Sequence, residues 1–298
     1  MSIMSELSTY IIEPLSYDFM QRALIVAVIV GAVSAVLSCY VILKGWSLMG
    51  DAVSHAVLPG IVIAHAAGLP LALGAFASGL LCAVLAGYLK VNSRIKEDTV
   101  LGIAFSGLFA FGLVLFTKID TGEHLLHILF GNLLGVRWAD IYEIALVGGT
   151  TLLIVLASRR DLLLYCFDPT HARAIGLRVT VLHYGLLALL SATIVAALKA
   201  VGIILVIAML IAPGAIAFLL TQRFDAMLAI ASASAIGTSI AGTLISFHID
   251  AATGPTIVVL QACLFILALV AYTIRQHRSG TSVDPLSGTD ASPTTGSP

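Results

Sequence analysis

The chain has 298 residues, of which 59% are hydrophobic and only 10% are charged, and its formal net charge is −1. Ordinary soluble domains carry about 25% charged residues, and one aqueous core cannot bury this much apolar surface. A net charge this close to zero gives no electrostatic argument for nucleic-acid binding. The composition therefore predicts an all-α polytopic membrane protein that does not bind nucleic acid.

Nine apolar segments are candidates to cross a bilayer, which takes about 20 residues in a helix. They follow an N-terminal surface segment, residues 1–21, which lacks the basic and cleavable parts of a signal peptide. A count of eight stays open, because one segment can be short or re-entrant. The predicted spans are 22–43, 50–68, 71–91, 99–117, 139–158, 179–198, 201–220, 226–247 and 256–274.

Two other segments are not predicted to span. Residues 124–136 (HLLHILFGNLLGV) are too short to cross, so we expect an interfacial or re-entrant helix there. The end of the chain is rich in Ser, Thr, Gly and Pro from residue 279 onward, and residues 275–298 are expected to form a disordered cytoplasmic tail. The transmembrane domain is therefore predicted over residues 22–274.

Lysine and arginine predict the orientation, because they are enriched in cytoplasmic loops. With the C-terminus and the loop at 92–98 inside, eleven of these residues fall inside and four outside. Nine spans then place the N-terminus outside, whereas eight would place it inside. The outer residues are Arg22, Lys118, Arg137 and Lys199, and the inner ones are Lys44, Lys90, Arg94, Lys96, Arg159, Arg160, Arg173, Arg178, Arg223, Arg275 and Arg278.

Several motifs of catalysis and energy coupling are missing from the sequence. It has no GxxxxGK[ST] phosphate-binding loop, no HExxH zinc motif and no GxSxG nucleophile motif. The spans also lack the ladder of acids and bases that is typical of proton-driven pumps. The four cysteines form no CxxC pair and are expected to be core residues. These absences favour a transport protein over an enzyme, with ATP hydrolysis carried out by another chain.

Asp51 and His55 stand in GDAVSHAVLPG, inside an otherwise apolar span. A charged group at the bilayer centre costs about 2.5–3.5 kcal/mol, so its presence there calls for a reason. The i,i+4 spacing puts both side chains on one helix face, and a carboxylate with an imidazole suits Mn²⁺, Fe²⁺ or Zn²⁺. A symmetric dimer would bring two such pairs together. Two structural interpretations stay open: a hydrogen bond that locks two helices, and an Asp that caps a helix starting near residue 52.

The run LKGWSLMGDAVSHAVLPGIVIA (43–64) resembles the signature of the membrane permease subunits of ABC importers for manganese, iron and zinc. It is closer to the manganese/iron branch, and the resemblance covers about residues 15–275. Further matches follow in order: HILFGNLLGV (127–136), DPTHARAIGL (168–177), VGIILVIAMLIAPGAIA (201–217) and the turn with Asp250, Gly254 and Pro255.

This resemblance implies a type II ABC importer architecture, similar to the vitamin B12 permease, that functions as a dimer in the bacterial inner membrane. The second permease chain would be identical or a close paralogue. A separate ABC ATPase and an extracytoplasmic metal-binding protein would complete the system, with membrane lipid around it. Asp51 and His55 would then line the metal path, and the metal would be cargo and not a permanent cofactor.

The segment DPTHARAIGLRV (168–179) falls in a predicted cytoplasmic loop near 160–178. Proline suits the first turn of a short helix, and the preceding aspartate suits its N-cap. By the resemblance this is the coupling segment that docks on the ATPase, whereas a basic loop attracted to anionic lipid is the alternative. The candidate coupling residues are Asp168, Pro169, His171, Ala172, Arg173 and Gly176.

Two further groups of residues are candidate parts of the metal path. Glu123, His124 and His127 cluster at the predicted outer face, where they could accept a metal from its carrier protein or form a polar collar on an interfacial helix. Pro213 and Gly214 interrupt a predicted span, and the resulting kink is either a gate element or a static packing feature.

The sequence thus predicts the transmembrane permease of an ATP-driven importer that moves Mn²⁺ or Fe²⁺, or else Zn²⁺, into the cytoplasm. The alternative is a gradient-driven secondary transporter or channel without an ATPase, which would need more buried ionisable residues than the spans carry. A polytopic membrane enzyme is disfavoured by the missing catalytic motifs.

Overall fold

The structure, a computed structural model, describes residues 13–278 except 47, 93, 95–96, 119–130 and 132. The regular elements in these ranges are all helical, as predicted. The principal α-helices are α1 (Asp18–Lys44), α2 (Met49–Ala66), α3 (Leu71–Asn92), α4 (Glu97–Lys118), α5 (Trp138–Ala157), α6 (Arg159–Phe167), α7 (Pro169–Ala174), α8 (Val179–Leu220), α9 (Phe224–His248) and α10 (Thr253–Arg278), with a 3-10 turn at Leu133–Gly135.

Among the described residues, seven helices are long and apolar enough to cross a membrane: α1, α3, α4, α5, α8, α9 and α10. The 42 residues of α8 would extend about 63 Å, twice the thickness of the hydrocarbon core. Gly202 interrupts this helix with φ 76° and ψ 169°, a backbone conformation that is essentially restricted to glycine. The two halves, α8a (179–201) and α8b (203–220), match the two spans predicted there.

Helix α2 is shorter than the span predicted at 50–68. It has 18 residues, so it is about 27 Å long, and it is not one of the seven helices above. Its polar residues, Asp51 and His55, lower its hydropathy, and the chain between α1 and α2 is only a short turn. Gly45 ends α1 with φ 70°, and the first residue of α2 follows four positions later.

Helix α1 is the centre of the bundle, and most of its 27 residues are buried. It packs against α5, α8, α9 and the 3-10 turn, while α2, α3 and α4 form a second group beside α8. Helices α4 and α10 expose mainly apolar side chains, as expected for surfaces that face lipid or another chain. The core thus lies where α1 and α8 cross.

Ser38 of α1 forms hydrogen bonds with the backbone of α8b on both sides of Pro213. Its hydroxyl donates to the carbonyl oxygen of Ile211 at 3.2 Å and accepts the backbone N–H of Gly214 at 2.9 Å. Pro213 and Gly214 are both buried. The backbone of α8 leaves helical angles only at Gly202, so the helix continues through Pro213 and Gly214 and is not interrupted there as predicted. The gating role remains a prediction.

We expect Ser38→Ala to lower the free energy of unfolding by about 1–3 kcal/mol, because it removes two hydrogen bonds between α1 and α8b, each worth about 0.5–1.5 kcal/mol. Ser34→Ala is the matched control, since the Ser34 hydroxyl is buried with no hydrogen-bond partner among the described residues, and its removal should be close to neutral. Thermal unfolding in one detergent compares the two variants. Equal losses of stability in the two variants would contradict the contribution of the Ser38 hydrogen bonds.

The ends of the helical domain differ from the prediction by one turn. Helix α1 begins at Asp18 and α10 continues to Arg278, so residues 18–21 and 275–278 are helical. The rest of the predicted tail, 279–298, lies outside the described residues. Of the cysteines, three are buried as predicted and the fourth, Cys263, is exposed on α10; its prediction as a core residue is wrong because α10 turns that face outward.

Candidate functional site

Asp51 and His55 lie one turn apart at the start of α2. Nε2 of His55 is 3.3 Å from Oδ1 of Asp51, and each side chain is 32% exposed. The predicted arrangement on one helix face is therefore present. If nitrogen and oxygen ligands each stand about 2.1 Å from one ion, a separation of 3.3 Å gives an angle of about 100°, between tetrahedral and octahedral values. The separation of these two atoms is therefore compatible with one shared divalent ion.

Both structural interpretations of Asp51 are wrong in this fold. The N-cap of α2 is Leu48, and no side chain caps this helix end, so Asp51 lies inside the first turn and not at the cap. The pair cannot lock two helices, because both residues belong to α2. A carboxylate in the first turn is still favoured by the helix dipole, by about 0.3–1 kcal/mol.

Two phenylalanines of α4 hold the imidazole ring of His55. Phe105 stacks on it with ring centroids 5.9 Å apart and planes at 26°, and Phe109 meets it edge-on at 5.2 Å and 76°. Such contacts fix the plane of a ring. These two residues are not predicted by the sequence, although their i,i+4 spacing in α4 shows that they share one face.

His55 lies at mid-height of the bundle. The two phenylalanines that contact it flank the middle of the 99–118 span of α4. On α3, the Ser78 hydroxyl donates to the backbone carbonyl that follows His55 at 2.6 Å, and Ser78 is near the middle of the 71–89 span. Asp51 is one turn, about 6 Å, nearer the predicted cytoplasmic end.

One chain provides only part of a metal site here. Among the described residues, no group of three or more His, Cys, Asp or Glu side chains could hold a metal ion. Asp51 and His55 thus supply two ligands, and their partial exposure leaves the outward side of the site open. Glu123, His124 and His127, the candidate outer group, lie outside the described residues.

Charged residues at the predicted outer end are paired with each other. Nζ of Lys199 is 3.7 Å from Oδ1 of Asp140 and 3.4 Å from Oε2 of Glu143. Nε of Arg137 is 3.2 Å from the other carboxylate oxygen of Asp140. Because two cations face two carboxylates, this cluster carries little net charge to attract a metal ion.

The predicted coupling loop consists largely of two short helices, α6 and α7, because a new cap starts a second helix after Phe167. Oδ1 of Asp168 accepts the backbone N–H groups of Thr170 and His171, both at 2.9 Å, and Pro169 is the first helical residue. The predicted N-cap and first turn are confirmed. Gly176 ends the segment with φ 88°.

The candidate coupling residues in and next to α7 differ in exposure. His171, Arg173 and Gly176 are exposed. Ala172 is fully buried, and its carbonyl oxygen accepts the N–H of Leu177 at 3.0 Å. Ala172 therefore anchors α7 to its own chain, while its neighbours are available to a partner.

The sequence model of the ABC 3 transport family matches residues 16–272. The chelated iron transport system membrane protein YfeD of Yersinia pestis is 61% identical over 267 residues, which cover 90% of this chain and 90% of that protein. The manganese transport system membrane protein MntB of a Synechocystis species is 53% identical over 261 residues, covering 88% and 85%. Among solved structures, a chain of PsaBC from Streptococcus pneumoniae in complex with Fab has a TM-score of 0.79 and 38% identity, covering 88% and 95%.

Proposed function

Because the chain belongs to the ABC 3 transport family, we propose that it is the permease of an ATP-driven importer that moves Mn²⁺ or Fe²⁺ into the cytoplasm. It is a multi-pass protein of the bacterial inner membrane and a transport subunit, not an enzyme. Relatives named for chelated iron and for manganese favour these two ions over Zn²⁺. The observation that carries the proposal is the Asp51–His55 pair at mid-height of the bundle.

The metal path runs past this pair. A second permease chain, identical or a close paralogue, supplies another Asp and His on the open side, so that four side chains surround the ion. Few ligands give modest affinity, and a transported ion must be able to leave as well as bind. Membrane crossings number nine, with α8 counted twice and α2 included, and this count places the N-terminus outside.

The ATPase is a separate chain that docks on the exposed side of α7. A short capped helix at the cytoplasmic face is a rigid element that an ATPase can displace, and His171 and Arg173 offer polar contacts. The gradient-driven alternative is disfavoured because Asp51 is the one acidic residue of the described spans that lies away from a membrane face. An extracytoplasmic metal-binding protein delivers the ion at the other face, where Glu123, His124 and His127 remain the predicted acceptors.

Metal accumulation in cells tests this function. A strain that lacks its own metal uptake systems would express the chain with its ATPase and its metal-binding protein. Elemental analysis of Mn, Fe and Zn is expected to show a rise in manganese or iron. The control is the same system with an ATPase that binds ATP and does not hydrolyse it. Equal uptake with the inactive ATPase would support the gradient-driven alternative, and no uptake at all would overturn the importer proposal.

A further inference from the structure

Tyr165 of α6 ties the coupling segment to the ends of two membrane helices. Its side chain is 3% exposed, and its hydroxyl is 2.7 Å from Nδ1 of His183 in α8a. Its carbonyl oxygen accepts a hydrogen bond from Nζ of Lys44 at 3.3 Å, and the same ammonium group stands 3.9 Å from the centroid of the tyrosine ring. Asp168 alone separates α6 from α7, so the helix that carries Tyr165 is joined to α7 by a single residue.

His183 carries this contact to the start of α2. Its ring meets that of Trp46 edge-on, with centroids 5.3 Å apart and planes at 74°. Trp46 lies in the turn between α1 and α2 and is 3% exposed. Its carbonyl oxygen accepts the N–H of Met49, the first residue of α2, at 3.0 Å. Asp51 follows two residues later, so direct contacts connect α7 with the candidate metal ligands.

A cavity of about 210 Å³ borders the same residues. It is lined by Lys44, Trp46, Met49, Tyr165 and His183, together with side chains of α3, α4 and α8a. Closely packed interiors transmit displacement from one group to the next, whereas an empty volume lets a group move without pushing its neighbours. The start of α2 therefore contacts His183 through Trp46 and also borders empty space into which these side chains can move.

We propose that Tyr165 and His183 are positioning residues that transmit movement of α7 through Trp46 to the first turn of α2, and so reorient Asp51 and His55. This inference rests on the proposed function, because it assigns a role in ATP-driven transport. On this proposal, the connection between α1 and α2 that contains Trp46 is the element that takes two positions. Transmission between distant sites requires such an element, biased at both ends.

Tyr165→Phe tests the proposal, because it removes the hydroxyl and keeps the ring beside Lys44. The complete transporter, with ATPase and metal-binding protein, would be reconstituted in proteoliposomes with Mn²⁺ and Fe²⁺ in separate reactions. ATP hydrolysis is expected to persist, while metal moved per ATP falls about tenfold, within the 5–150-fold range of typical coupling. Tyr142→Phe is the matched control, because this tyrosine of α5 is 71% exposed. The amount of metal moved per ATP should not change in that variant.

A double variant separates transmission from ordinary packing. If Tyr165 and His183 act as one unit, Tyr165→Phe combined with His183→Ala lowers metal moved per ATP no further than the stronger single change. The inference is overturned if the two losses multiply, if hydrolysis and transport fall by the same factor, or if the ratio stays at the unaltered value. If the unaltered transporter moves neither ion, the proposed function is overturned instead, and this inference falls with it.

Discussion

Asp51→Asn is expected to abolish metal accumulation without changing the amount of permease in the membrane. The amide has the size of the carboxylate and its oxygen can still accept a hydrogen bond from His55, which stands 3.3 Å away. What is lost is the negative charge that offsets the dehydration of a divalent ion at mid-height. Loss of a group that merely orients a metal ligand costs about 10–100-fold in affinity, so loss of a charged ligand should cost at least about 100-fold.

The measurement is the elemental analysis described above, with the two versions compared at equal abundance. Asp18→Asn is the matched control, because Asp18 is an exposed acid at the start of α1 that pairs with Arg22 across one helical turn. Metal uptake by the Asp18→Asn variant should equal that of the unaltered chain. Equal accumulation with Asp51→Asn would show that the pair is structural and that the metal passes elsewhere.

Gly60→Ala is expected to have the largest effect on stability. A Cβ atom at Gly60 would overlap the backbone carbonyl of Gly74 and would lie 2.6 Å from Cβ of Ser78. The obstructing atoms are backbone, so α2 and α3 must separate and lose the hydrogen bond at Ser78. Overpacking usually costs about 1–3 kcal/mol, and a contact that no rotamer can relieve should reach or exceed the upper end.

Yield of folded protein and thermal unfolding in detergent both report this change. Gly237→Ala is the matched control, because a Cβ built at that position in α9 has no neighbour within 4 Å among the described residues beyond its own helix backbone. Alanine there should be neutral or stabilising by up to about 1 kcal/mol through helix propensity. If both variants unfold at the same temperature, the tight crossing of α2 and α3 does not determine stability.

The spans and the coupling helix are predictable because their signals are local. Runs of apolar residues predict the crossings, and the boundary predicted between the spans 179–198 and 201–220 lies close to the observed break at Gly202. Asp168 and Pro169 predict the start of α7, since a cap and a first-turn proline act within a few residues. Each of these features depends only on neighbours in the chain.

The depth of Asp51 and the contacts of its site depend on packing between helices, and sequence patterns carry little of this information. A run of apolar residues gives the length of α2 and not its height beside α3. Phe105 meets His55, and Tyr165 meets His183, only because separate helices pack in one particular way. The sequence predicts the ligand pair by its i,i+4 spacing, but not the residues that position it.

If the metal ion passes Asp51, as we propose, the position of that carboxylate in the first turn of α2 gives the path an electrostatic asymmetry. The amino end of a helix carries about half a positive elementary charge, and here that end lies on the cytoplasmic side of Asp51, with the ammonium group of Lys44 beyond it. A cation from outside reaches the carboxylate before these positive charges. The same charges oppose its further movement inward as long as α2 keeps its position. On this proposal, the field at the start of α2 would hold the ion at Asp51 until α2 moves, so a closed steric plug would not be required.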